Sequence, residues 1–280
     1  SFKEPNTIGK AISSFLDQKI KEKYEIIVVA PDKETLNAAK KYKVKLIQDQ
    51  AKGKPSALNL AFKKAKGDIL ILTDGEVYTS INSVNELVDK FDKDTGVVSG
   101  HPVSLNPRTN FLGYTSHLLT FMADKLRRDL SKKGKFIVCS GYLFAIRKGI
   151  VKEIPPEMLS EDAYMSRYIA NKGYKTNYAE NALVYVKYPT NVKDWIKQKR
   201  RSTGGYEQLK KYFSEKSMRY FSQEVSGVFS IFSYCKSVKE VYYNFKLIIL
   251  RLYLWLLIFK DSYIVKKKFE DIWVRIESTK

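Results

Sequence analysis

Cysteine and histidine are nearly absent: the 280 residues include two Cys, at 139 and 235, and two His, at 101 and 117. Two distant cysteines give neither a disulfide framework nor zinc-ligand spacing. A reducing, cytosolic compartment is the default for such a chain. Two histidines are too few for a histidine-rich metal site, and His101, directly before Pro102, reads as structural. Long apolar runs are also missing. Residues 245–259 are the most apolar stretch, but Lys246 and Arg251 interrupt it, and it falls short of the ~20 residues that span a bilayer. The chain opens on Ser1-Phe2-Lys3-Glu4-Pro5, a loop entering a helix rather than a signal peptide. A first strand is expected ahead of it. Negative charge is scarce as well: 30 acidic residues face 50 basic ones, for a net charge of +20. About half of that excess falls after Lys187. A basic, aromatic-rich C-terminal part suits a membrane surface, a lipid phosphate, a nucleotide or nucleic acid, although a lysine-rich surface can also be merely solvated.

What is present is a globular composition, 44% hydrophobic and 29% charged, long enough for one large α/β domain with an appendage. Asn6-Thr7 heads a helix with Ile8, Ile12, Phe15 and Leu16 on one face. A strand over 24–30 stops at Pro31-Asp32. A helix over 35–42 and a strand over 44–48 follow. Gly53-Lys54-Pro55 then opens a helix, with Pro well placed in its first turn. The next strand, Asp68-Ile69-Leu70-Ile71-Leu72-Thr73-Asp74, ends at Asp74, and Gly75-Glu76 follows. A helix over 80–91 and a strand over 97–100 continue the alternation, which implies a mostly parallel, doubly wound sheet with the strand ending at Asp74 central and covered on both faces. After Pro107 the rhythm changes. A long helix spans 111–131, and an apolar segment over 136–146 is interrupted by Ser140-Gly141. A helix over 161–172 is headed by Ser160 and ended by Gly173. Strand-like pieces lie at 175–178 and 182–186. From Val192 the chain reads as helical to its end, interrupted at Gly204-Gly205.

Several of these pieces carry chemistry. Open α/β sheets bind ligands at the carboxyl ends of their strands. Asp74 and Glu76, two apart on an extended segment, share a face and suit Mg²⁺ or Mn²⁺ shared with a diphosphate. Gly75 lets backbone or phosphate come close. The plainer reading is a solvated turn. Lys54 at a helix start suits a phosphate or is an ordinary solvated lysine. Glu161 and Asp162 suit proton transfer, or simply stabilise the helix dipole from its first turn. Residues 245–259, with Tyr253, Trp255, Lys260 and Lys266, Lys267 and Lys268, suit an interfacial helix with snorkelling cations or a core helix.

Four pieces stand in a telling order: Gly53-Lys54-Pro55-Ser56-Ala57-Leu58-Asn59, Asp74-Gly75-Glu76, Glu161-Asp162, and Gln198-Lys199-Arg200-Arg201-Ser202. Over roughly residues 1–210 the chain resembles the family 2 inverting glycosyltransferases of GT-A fold. It is most similar to the membrane-associated branch with the cellulose and hyaluronan synthases and the dolichol-linked sugar transferases. The resemblance implies a GT-A catalytic domain over 1–190 and a helical, basic, membrane-proximal extension over 191–280. It implies that Phe2, Glu4 and Asp32 lie at the nucleotide base, with Lys3 where an Asn is usual. Lys54, Asp74, Gly75, Gln198 and Arg201 would meet the nucleotide sugar. Asp74-Gly75-Glu76 matches the Asp-x-Asp motif, so Asp74 and Glu76 would hold Mg²⁺ or Mn²⁺. Asp162 would be the general base and Glu161 its support or an acceptor contact, beside Ser140-Gly141 in the acceptor region. Ser202 replaces the Trp of the Gln-x-x-Arg-Trp motif. That removes an aromatic platform and favours single sugar transfer over processive synthesis.

The implied activity is transfer from a UDP- or GDP-linked sugar to a lipid-linked or glycan acceptor, at the cytoplasmic face of a membrane. A processive polysaccharide synthase domain is the alternative enzyme. A non-catalytic nucleic-acid- or membrane-binding protein is the alternative of another class; its tyrosines at 206, 212, 220, 234, 242 and 243 would stack on bases. With the four motifs in place, no nucleic-acid partner is expected.

Overall fold

The computed structural model describes residues 1–213, 228–261, 265 and 276–279. Tyr220 and Lys266, Lys267 and Lys268 lie outside the described residues. The chain divides into two compact units, one of residues 1–103 and 124–186, the other of 104–123 and 187–280. Residues 104–123, assigned from sequence to the first domain, thus cluster with the C-terminal part.

In the first unit the order is α1 (Ile8–Leu16), β1 (Ile27–Ala30), α2 (Lys33–Ala39), β2 (Lys45–Gln48), α3 (Lys54–Lys64), β3 (Ile69–Thr73), β4 (Tyr78–Thr79), α4 (Ser83–Val88) and β5 (Thr95–Ser104). After the helix α5 (Phe111–Lys132) come β6 (Leu143–Arg147), α6 (Glu161–Asn171) and β7 (Lys175–Val186). Ile8 and Ile12, one turn apart on α1, pack with Val28 and Ala39 in a small core. The Asp32 side chain caps α2 by accepting from Thr35 N. Gly53, at φ +90°, makes the turn into α3 with Pro55 in its first turn. Gly173, at φ +89°, follows the end of α6. Thr7 and Ser160 precede their helices without a side-chain cap.

The α/β alternation holds, but the sheet is mixed rather than mostly parallel. β1 and β2 pair in parallel as one two-stranded sheet. The other sheet has the order β3-β6-β5-β7-β4, and its β3–β6, β5–β6 and β4–β7 pairings are antiparallel. β3 therefore stands at the end of its sheet and is mostly half-buried, not central and covered. Apolar runs report burial and period but not strand direction. Here β6, arriving after α5, inserts between β3 and β5 against both. The two strand-like pieces at 175–178 and 182–186 are one strand, β7. The strand expected at 97–100 extends over the whole of β5.

The second unit holds the first turns of α5, α7 (Val192–Leu209), a 3-10 segment (Val228–Tyr234) and α8 (Val238–Phe259). Gly204-Gly205 does not interrupt α7; both glycines are buried within the helix. The unit's core joins Phe111, Leu112, Tyr114, Leu118, Trp195, Leu247, Leu254 and Ile258. α8 is longer than residues 245–259 because Ser237 caps it a further two turns upstream by accepting from Glu240 N. At 22 residues, with an 18-residue window of mean hydropathy 1.5, it is by length and composition long and apolar enough to cross a membrane. Its two sides differ. Asn244, Leu247, Leu254 and Ile258 are buried, whereas Val238, Tyr242, Phe245, Ile249, Leu252, Tyr253, Leu256 and Phe259 are exposed. Apart from the adjacent Leu252 and Tyr253, the exposed set recurs every three or four residues and so forms one stripe.

Candidate active site

The site is assembled at the end of β3. Its ladder with β6 stops at the Thr73–Leu143 pair. Thr73 Oγ1 then donates to Tyr142 O at 2.9 Å, tying the strand end to the loop before β6. Asp74-Gly75-Glu76 is a turn, not a continuation of the strand. The shared face expected of side chains two apart on an extended segment therefore does not apply, and any convergence of Asp74 and Glu76 comes from the turn. Gly75 sits in a crowded place, where a side chain would force neighbouring side-chain ends to shift. A Cβ there would stand 1.8 Å from Ser1 Oγ and 2.5 Å from Glu4 Oε2.

That crowding brings the N-terminal segment onto the turn. Glu4 is buried, its N–H donating to Thr35 Oγ1 at 2.8 Å. Lys3 N donates to Asp32 Oδ2 at 2.8 Å, and Lys3 takes φ +54°. This is the left-handed region, where Asn sits more readily than Lys. Asp32 accepts from Thr35 N, Thr35 Oγ1 and Lys3 N. Burial works to raise its pKa, but these hydrogen bonds prevail and the net shift is downward. Asp32 thus shapes the loop carrying Phe2, Lys3 and Glu4. The Phe2 ring lies on that loop, 37% exposed.

Lys54, the first residue of α3, reaches both acidic segments. Its Nζ lies 2.7 Å from Asp74 Oδ1 and 2.6 Å from Glu161 Oε1. Burial alone would lower its pKa; Asp74 and Glu161 outweigh that and hold it well above the usual lysine range. Glu161 begins α6 and is 8% exposed. Asp162, next to it, accepts from Ala163 N at 2.8 Å and from the Gly141 N–H. A Cβ on Gly141 would come within 3.1 Å of Asp162 Oδ2. Burial, and then the charge of Glu161, push the Asp162 pKa up to about 6, against the pull of Lys54 and the two backbone N–H groups.

The loop beneath Asp162 is pinned by Ser99 and Ser166, to which no motif pointed. Ser140 N donates to Ser99 Oγ at 3.0 Å and Cys139 N to Ser166 Oγ at 3.0 Å, while Ser166 Oγ donates to Asp162 O. Asn59, the last residue of the α3 motif, exchanges two 2.8 Å bonds with the backbone N and O of Ile154. It thereby braces the segment leading into α6. A polar residue one turn beyond Lys54 on a buried helix face was the available signal. The Cys139 thiol is buried, which pushes its pKa up to about 12.

The structure thus joins Asp74, Lys54 and Glu161 directly, with Asp162, Gly141, Ser140, Gly75 and Glu4 around them. Gln198 and Arg201 stand three residues apart on α7, in the second unit. Their neighbour Arg200 is committed elsewhere, its Nε donating to Asp261 Oδ2 at 2.8 Å. Among the described residues, no group of three or more His, Cys, Asp or Glu could hold a metal ion. Mg²⁺ and Mn²⁺ sites on diphosphates need only one or two carboxylates, the rest of the shell being phosphate and water. The hard oxygens of Asp74 and Glu76 fit that role, and the Lys54 ammonium on Asp74 Oδ1 marks a place built for positive charge.

Residues 1–155 match the sequence model of Glycosyl transferase family 2. A poly-beta-1,6-N-acetyl-D-glucosamine synthase of Staphylococcus aureus is 25% identical over 235 residues, covering 79% of this chain and 57% of that protein. The hyaluronan synthase of Streptococcus pyogenes is 26% identical over 167 residues, covering 54% of this chain and 39% of that one. The chain therefore spans about half the length of these relatives. Among solved structures, the mannosyltransferase PcManGT of Pyrobaculum calidifontis, in complex with GDP-Man and Mn²⁺, superposes with a TM-score of 0.62 at 16% identity. That match covers 95% of this chain and 83% of that one, so the two share the GT-A fold.

Proposed function

The chain belongs to glycosyl transferase family 2, and on that premise we propose that it transfers a single sugar, with inversion, from a UDP- or GDP-linked donor to a membrane-associated acceptor, polyprenyl-phosphate-linked or glycan, at the cytoplasmic face. The observation that carries this reading is the Lys54 bridge, which brings the carboxylate after β3 and the acid pair heading α6 within the span of one ammonium group. Donor and acceptor chemistry then have adjacent places. Asp74 and Glu76 hold the divalent cation, which supplies neutralisation of charge on the leaving diphosphate. Phe2, Glu4 and Asp32 form the base end of the donor site. Lys54 and Gly75 serve the diphosphate; the Gln-x-x-Arg motif assigns phosphate contacts to Gln198 and Arg201, where a guanidinium fork suits phosphate oxygens.

Asp162 takes the proton of the acceptor hydroxyl as its oxygen attacks the anomeric carbon opposite the phosphate. The Gly141 and Ala163 N–H groups orient that carboxylate. A carboxyl with a pKa near 6 is deprotonated at neutral pH yet basic enough to draw the proton. Glu161 supports it and lines the acceptor side with Ser140-Gly141. The exposed apolar stripe of α8 and the basic C-terminal part are assigned to the membrane surface.

Processive synthesis is the second reading, favoured by the polymer synthases among the relatives. Ser202, where that motif has Trp, weighs for single transfer. Incubation with UDP- and GDP-sugars, Mn²⁺ and a polyprenyl-phosphate acceptor decides between them: one added sugar supports the proposal, a ladder of products the alternative. If neither donor class binds or is hydrolysed, or if Asp74→Ala leaves turnover intact, the proposed function is wrong.

A further inference from the structure

Lys54 does more in the free site than wait for a phosphate. Its ammonium lies 2.7 Å from Asp74 Oδ1, the carboxylate assigned to the metal in the proposed function, on which this inference rests. A divalent ion held by that carboxylate would have to share its oxygens with the ammonium. Ammonium and metal ion on one carboxylate would press two positive charges together in a partly desolvated site. The other end of the contact, 2.6 Å from Glu161 Oε1, ties the same ammonium to the acid pair heading α6. The Lys54 backbone is fixed by Gly53 at φ +90° and by Pro55 in the first turn of α3. The side chain is not fixed in this way: it is 38% exposed, and its flexible four-carbon stem can turn toward a phosphate without any backbone movement.

We propose that Lys54 is the resident cation of the unliganded site, an ionic strap that keeps divalent metal off Asp74 until a nucleoside diphosphate draws the ammonium away. Metal and diphosphate then bind in concert, and metal alone binds weakly. Neither end needs the strap to keep its place. Asp74 follows β3, which is laddered to β6, and Glu161 is carried by α6.

The test is binding of Mn²⁺ alone to the full chain, followed by electron paramagnetic resonance, and then with UDP or GDP as probe. Wild type should bind Mn²⁺ weakly by itself and much more tightly with whichever nucleotide it accepts. Lys54→Met should bind Mn²⁺ alone about tenfold more tightly or better, while the gain on adding nucleotide shrinks. Lys54→Arg, which keeps the charge, should leave metal-alone binding weak. Lys54→Gln replaces the Met variant if that does not fold. Unchanged or weaker Mn²⁺ binding by folded Lys54→Met or Lys54→Gln, in a protein that still binds nucleotide with metal, overturns the strap and leaves the transferase reading standing. Wild type that binds neither UDP nor GDP overturns both.

Discussion

At Asp162, burial and a like-charged neighbour both oppose ionisation, whereas the proposed role as base requires it. A carboxyl whose folded pKa is about 6, above its unfolded value near 4, favours the protonated native state. That contribution is fully present below the unfolded value and is lost as pH rises through about 6. Asp162→Asn should therefore abolish transfer yet melt several degrees higher than wild type at pH 8, with the gap closing at pH 4. Calorimetry at the two values checks it. The rate with wild type should rise with pH through about 6. Gly141→Ala tests the same group from behind. The added methyl meets Oδ2 at 3.1 Å, so kcat should fall while the KM for donor and the melting temperature barely change. Lys3, at φ +54°, is the converse case, a strained residue on the loop held by Asp32. Lys3→Asn should raise stability by about 0.5–1 kcal/mol in urea unfolding.

Between elements, the less conspicuous bonds decide whether the acids stand ready. Asn59 satisfies both backbone groups of Ile154. Asn59→Leu leaves that buried N–H and C=O unpaired and should cost about 2–4 kcal/mol, read as a lower urea midpoint with an unchanged slope. This layer is also where sequence and structure part. The alternation of strands and helices, the glycines at 53 and 173 and the acids at 74, 161 and 162 are local signals, each carried by period, turn chemistry or residue type. The antiparallel insertion of β6, the turn at 74–76, and the anchoring by Ser99, Ser166 and Asn59 depend on partners between 27 and 95 residues away or on strand direction. No pattern within one segment encodes these. The Lys54 bridge was half legible: a lysine at a helix start announced an anion, but not that Asp74 and Glu161 would share it.

Over the whole molecule, charge and the exposed side of α8 point the same way. The net charge is +20, and a basic residue near an anionic surface is worth about 1 kcal/mol. The chain should co-sediment with vesicles containing anionic lipid, less so as salt is raised. Ile249→Lys with Leu256→Lys, both on the exposed stripe, should reduce sedimentation severalfold without altering circular dichroism. Vesicle binding unaffected by the pair would remove α8 from the membrane contact. The scarcity of cysteine gives the molecule a further property. Cys139 is buried in the first unit. Cys235 lies half-buried in the second, where its Sγ takes a 3.0 Å contact from Asn244 Nδ2. Each compact unit thus carries one thiol of its own. Pulsed alkylation of the unmodified protein, read by mass, reports the opening of each unit on a separate clock, with no engineered label and no crosstalk between the two signals.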